Sequence, residues 1–78
     1  MNNLRKYQKV FITYFEINEN QLLGLSYQSI SNWDSVGHMS LITALEEEFN
    51  IMMDTDDIIE FSTYEKGMEI LEKYHVNF

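Results

Sequence analysis

An all-α fold, a small four-helix bundle with a long first loop and a short third helix, is predicted by three observations. Apolar residues recur at three- and four-residue spacing in separated stretches, the signature of helix faces turned to a common core. Residues suited to capping, Asp34-Ser35, Asp54-Thr55 and Ser62-Thr63, stand before later stretches. No stretch alternates polar and apolar as a half-buried strand would, and proline and internal repeats are absent. Seventy-eight residues make a single domain, 1–78, too small to enclose a deep cleft.

The first helix is predicted by Leu4, Tyr7, Val10, Phe11, Tyr14 and Phe15, which share one face over about four turns and are expected in the core. Asn18 to Trp33, rich in Asn, Ser, Gln and Gly, reads as a long connecting loop anchored by Leu22, Leu23, Leu25 and Ile30. Trp33 is expected as an aromatic lid on one end of the core. The second helix starts at Asp34 or Ser35 and runs to about Asn50. Its stripe of Val36, Met39, Ile42, Leu45 and Phe49 is expected inward, with Leu41 at the flank. Asp54-Thr55-Asp56-Asp57 opens a helix of one or two turns through Ile58, Ile59 and Phe61. Ser62-Thr63-Tyr64-Glu65 matches a capping box and starts a last helix with Tyr64, Met68, Leu71 and Tyr74 inward. Gly67 within it costs roughly 1 kcal/mol against alanine, making this the least rigid helix.

Charge and composition narrow the function. The net charge is −8, and the stretch from 10 to 65 has no Lys or Arg yet holds all thirteen carboxylates except Glu69 and Glu72. Such a surface repels nucleic acid and favours partners with basic patches. Without cysteine the chain has no thiol of its own, so thiol chemistry requires an added group. No apolar run is long enough to span a bilayer, and the charged, aromatic start lacks the apolar core of a signal peptide; a cytoplasmic monomer is expected.

The most informative residues are Asp34-Ser35-Val36, a serine hydroxyl at a helix entrance. There it can cap free N–H groups or serve as an attachment point; Asp34 can cap while Ser35 carries a group. From Trp33 through Asp34-Ser35-Val36-Gly37-His38-Met39 to Leu45-Glu46-Glu47-Glu48-Phe49 and Ile51, the chain resembles the acyl carrier protein family. That family reads Asp-Ser-Leu, apolar residues at helical spacing, then Leu-Glu-Glu-Glu-Phe, and length, acidity and helix order agree over essentially the whole chain. The resemblance implies 4′-phosphopantetheine, derived from coenzyme A, on Ser35 in a phosphodiester link, with Asp34 orienting its surroundings. It implies a non-catalytic carrier holding acyl or aminoacyl groups as thioesters. The implied partners are a phosphopantetheinyl transferase and acyl-loading, elongating or acyltransferase enzymes, docking on Val36, Met39, Glu46 and Glu47. Gly37 and Ser40 depart from the acidic residues usual in fatty-acid carriers, and Val36 replaces the usual leucine. Those departures point to a dedicated pathway instead of bulk fatty-acid synthesis.

Other readings stand beside this one. His38, three residues after Ser35, raises a Ser/His nucleophile pair, which also needs an orienting group and an oxyanion site; His38 is expected instead as a surface residue beside the arm. Met39, Met52, Met53 and Met68 are adaptable enough for the core to part around an acyl chain. Asp54, Asp56, Asp57 and Glu65 suggest a calcium loop, but Ile58 and Ile59 stand where a ligand and the turn glycine are required, so no metal site is expected. The competing class is an acidic helical adaptor without prosthetic group, binding basic protein partners, in which Ser35 only caps.

Overall fold

Four helices are seen in the computed structural model, which describes residues 2–78: α1 (Asn3–Phe15), α2 (Ser35–Phe49), α3 (Thr55–Glu60) and α4 (Tyr64–Glu72). The chain is an all-α bundle with a long first connection and a short third helix, as its sequence predicts. Among the described residues no helix is long and apolar enough to cross a membrane.

α1 starts where the Asn2 side chain accepts from Arg5 N and ends at Glu16 in the left-handed conformation. It buries Tyr7, Val10, Phe11 and Phe15. Leu4 and Tyr14, expected in the core, are 36% and 50% exposed. Leu4 falls in the first turn, and Tyr14 lies along the α1–α2 seam beside Thr43 and Ala44.

The connection from α1 to α2 is folded onto α4. It holds one turn of 3-10 helix, Glu19–Gln21, with a reciprocal cap between Asn18 and Gln21. Leu22 and Leu25 are buried and Ile30 packs on the core, but Leu23 is 82% exposed. The cause is a tight turn in which Leu25 N donates to Leu22 O and Gly24 takes φ 79°, so Leu23 occupies a corner that points outward. Tyr27 N donates to Ser62 O, Tyr64 N to Leu25 O, and Ser26 and Thr63 form an isolated bridge. The expected capping box of Ser62 and Glu65 is not made, because α4 starts one residue later with Thr63 as its cap. Thr63 caps Lys66 N, and the Glu65 carboxylate accepts from Gly24 N across the loop.

The core is aromatic. Phe11 lies 4.9 Å from Tyr7, 5.6 Å from Trp33 and 5.3 Å from Tyr64, mostly edge-on as ring quadrupoles prefer. Trp33 has no exposed surface and is packed between Phe15 and Phe61; it belongs to the interior, not to a lid. Gly67 is required by this packing whatever its helix propensity. A Cβ there would meet Phe61 Cζ and Tyr7 OH, each at 2.2 Å. Of the methionines expected to give way to an acyl chain, Met53 is buried and Met68 packs partly on the core, whereas Met39 and Met52 face solvent.

α2 is rotated relative to the expected stripe. Val36 is 74% and Met39 49% exposed, while Leu41, Ile42, Ala44 and Leu45 are buried and Phe49 packs on the core. The inward line runs from His38, bonded to Trp33 and to α3, through Leu41, Ile42 and Leu45.

Candidate functional site

Ser35 is the first residue of α2, exposed, and without a hydrogen bond to its hydroxyl among the described residues. Asp34 does the capping. Its Oδ1 accepts from Gly37 N at 2.7 Å, and its carbonyl accepts from His38 N. That leaves the Ser35 and Val36 N–H groups open at the positive end of the helix. Gly37 has a spatial reason to be glycine: a Cβ there would lie 1.9 Å from the Asn32 carbonyl oxygen, where the loop crosses α2. Asn32 is held in place by donating from its amide to Phe15 O.

Two grooves meet at Ser35. One, of about 570 Å³, runs between α1 and α2 past Tyr14, Val36, Met39, Ser40, Thr43 and Glu47. The other, of about 330 Å³, lies between α2 and α3 and is lined by Tyr27, His38, Met39, Ile58, Ile59 and Phe61, together with Ser35 and Ser62. Among the described residues no carboxylate, lysine or arginine lines this second groove. Its walls suit an apolar group, and Ile59, 72% exposed, forms an open rim.

His38 is half-buried with both ring nitrogens engaged, contrary to the expectation of a surface residue. Trp33 Nε1–H, a donor only, donates to His38 Nδ1 at 3.0 Å. The two rings are inclined by only 14°. The imidazole proton is therefore on Nε2, which lies 2.8 Å from Ile58 O and donates to it. Neither nitrogen is left to take a proton from Ser35.

No family model, curated protein or solved structure matches the chain.

The predicted site residues divide between two settings. Ser35, Val36, Met39 and Glu47 share one open face of α2. Glu46 is half-buried, and its Oε2 accepts from Met53 N, fixing the turn after α2. The acidic loop before α3 does not converge on a cation site. Asp57, only 5% exposed, accepts from Lys73 Nζ on one oxygen and from the Tyr74 hydroxyl on the other. These bonds hold the Asp57 carboxyl below the usual carboxylate range, first through Lys73 and then through Tyr74, and they raise the Lys73 ammonium. Among the described residues no three His, Asp or Glu side chains are grouped to hold a metal.

Sequence reasoning missed the part played by His38, although a signal was present. His38 precedes Leu41, Ile42 and Leu45 by three, four and seven residues, which is the inward line of a helix. Asp57 reads from the sequence as a first-turn acid and as part of the rejected calcium loop; nothing local announces Lys73 and Tyr74, sixteen and seventeen residues on, as its partners.

Proposed function

We propose that the chain is an acyl carrier, with Ser35 as the attachment site for 4′-phosphopantetheine. The observation that carries this reading is the division of labour at the start of α2. Asp34 takes the cap, so the Ser35 hydroxyl is exposed, unbonded and placed where two grooves meet.

The surroundings fit the group. The open Ser35 and Val36 N–H groups and the helix dipole favour a phosphodiester on the serine oxygen. Once attached, the group supplies the thiol that a cysteine-free chain lacks. Asp34 fixes the first turn and so the direction in which the Ser35 oxygen points. Val36, Met39, Ser40, Thr43 and Glu47 give a visiting enzyme an exposed strip beside that oxygen. The groove of Met39, Ile58, Ile59 and Phe61 shelters an apolar acyl group between visits. Tethering keeps the cargo at high effective concentration at each docked enzyme, so the carrier needs no catalytic group of its own. The engaged nitrogens of His38 support that division of roles.

The expected partners are a phosphopantetheinyl transferase and acyl-transferring enzymes. Because Gly37 and Ser40 replace acids near Ser35, those enzymes read a less acidic strip than fatty-acid carriers offer, in keeping with a dedicated pathway. The test is intact mass after incubation with coenzyme A and a broad-specificity phosphopantetheinyl transferase. One phosphopantetheine is expected on the native chain and none on Ser35→Ala. A folded native chain that two different transferases leave unchanged would reject the carrier in favour of the adaptor.

A further inference from the structure

We infer that His38 is a positioning residue that latches α3 to α2 and thereby sets how bulky an apolar group the groove beside Ser35 admits. The inference rests on the carrier reading for the identity of the occupant, but not for the latch itself. Trp33 is fully buried, so its indole N–H requires an acceptor, and His38 Nδ1 is the one it has. That bond puts the imidazole proton on Nε2, directed at Ile58 O. Ile58 O belongs to the last turn of α3, where helix carbonyls lack intrahelical donors. The relay Trp33–His38–Ile58 thus runs from the core, through α2, to the wall of the groove. Ile58, Ile59 and Phe61 line one side of that groove and His38 and Met39 the other, so the length of the Nε2–O bond fixes the separation of the walls. On its far side α3 is held by Asp57, bonded to Lys73 and Tyr74 just after α4. Phe61, buried in the core just after α3, holds that end, so releasing His38 lets Ile58 and Ile59 shift outward about Phe61 and Asp57 without detaching the helix.

His38→Phe removes both bonds while keeping a flat ring between Tyr27 and Phe61. His38→Gln keeps an acceptor for Trp33 and a donor for Ile58. Hydrogen exchange of the Ile58 and Phe61 amides, which donate to Asp54 O and Asp57 O at the two ends of α3, is expected to quicken about five- to tenfold in His38→Phe, the worth of one lost hydrogen bond, and to return toward the native rate in His38→Gln. Equal rates in the native protein and His38→Phe would overturn the latch. Should His38→Phe fail to fold, the imidazole nitrogen spectrum of the native protein decides: the Nε2–H tautomer is expected, and Nδ1–H overturns the relay. The selectivity is read by loading each protein from acyl-coenzyme A thioesters of increasing chain length and following the melting temperature. The native gain should stop rising at a shorter chain than the gain of His38→Phe, and coincident limits would overturn the inference. Failure of the native chain to load at all would instead defeat the carrier reading, and exchange would still decide on the latch.

Discussion

The aromatic centre of the bundle and the short helix α3 are held by opposite means. Tyr7, Phe11, Trp33, Phe61 and Tyr64 interlock with almost no exposed surface, and the polar atoms among them are satisfied inside, as where the Tyr7 hydroxyl donates to Tyr64 O at 2.7 Å. Burial pushes the Tyr7 phenol well above its usual range, so it stays a neutral donor. α3 has six residues, far too few to be stable alone, and leaves Ile59 in solvent. Phe61 fixes its end in the core, and polar ties to α2 and to the end of α4 position the rest. Close packing is rigid in every direction, whereas a few hydrogen bonds can open one at a time. A wall meant to make room for cargo is better placed on the second kind of support.

The contrast predicts unequal costs. Phe11→Ala, which removes the ring touching Tyr7, Phe15, Trp33, Phe61 and Tyr64, should cost about 3–5 kcal/mol in urea unfolding. Gly67→Ala adds only a methyl yet drives it into Phe61 and Tyr7, and should cost about 1–3 kcal/mol despite alanine's better helix propensity. A stabilised Gly67→Ala protein would mean that the core is looser than these distances imply.

On the α3 side the response should be to pH. Asp57 has its carboxyl lowered by Lys73 and Tyr74, so its contribution is present above the ordinary carboxylate range and is lost as pH falls through the lower, folded value. Lys73 is raised by Asp57, so its contribution is full below the ordinary lysine range and is lost as pH climbs through the raised value. The Lys73 side chain is 62% exposed, so salt should weaken the pair. Asp57→Asn should flatten the acid limb of melting temperature against pH. An unchanged limb would place the acid sensitivity elsewhere.

How far the sequence could be read follows the same contrast. Periodicity located α1, α2 and α4, because their cores are built from residues three and four apart, and Asp34 and Thr63 marked starts by local chemistry. The long loop was legible from composition, but its contacts with α4 join positions some forty residues apart, so neither the outward turn of Leu23 nor the diversion of Glu65 to Gly24 could be read locally. Val36 and Met39 were placed inward because apolar residues at helical spacing look alike wherever the helix is rotated. The rotation that buries Leu41, Ile42, Ala44 and Leu45 also turns His38, a polar residue, inward. Ser35 was legible as a helix entrance, but its freedom from capping depends on which of two neighbouring side chains takes the Gly37 N–H.

That choice gives the smallest and most discriminating effect. Asp34→Ala removes the oxygen that accepts from Gly37 N and should cost about 1 kcal/mol. Ser35→Ala removes a hydroxyl with no partner, at an exposed position where alanine is the better helix former, and should change stability by less than about 0.5 kcal/mol in either direction. Loading should show the reverse order, abolished in Ser35→Ala and only reduced in Asp34→Ala. Equal destabilisation by the two substitutions would mean that the serine shares the cap, and the case for an attachment site would then lose the observation on which it chiefly stands. A neutral Ser35→Ala beside a costly Asp34→Ala leaves a serine that stability does not require, at a point where both grooves open.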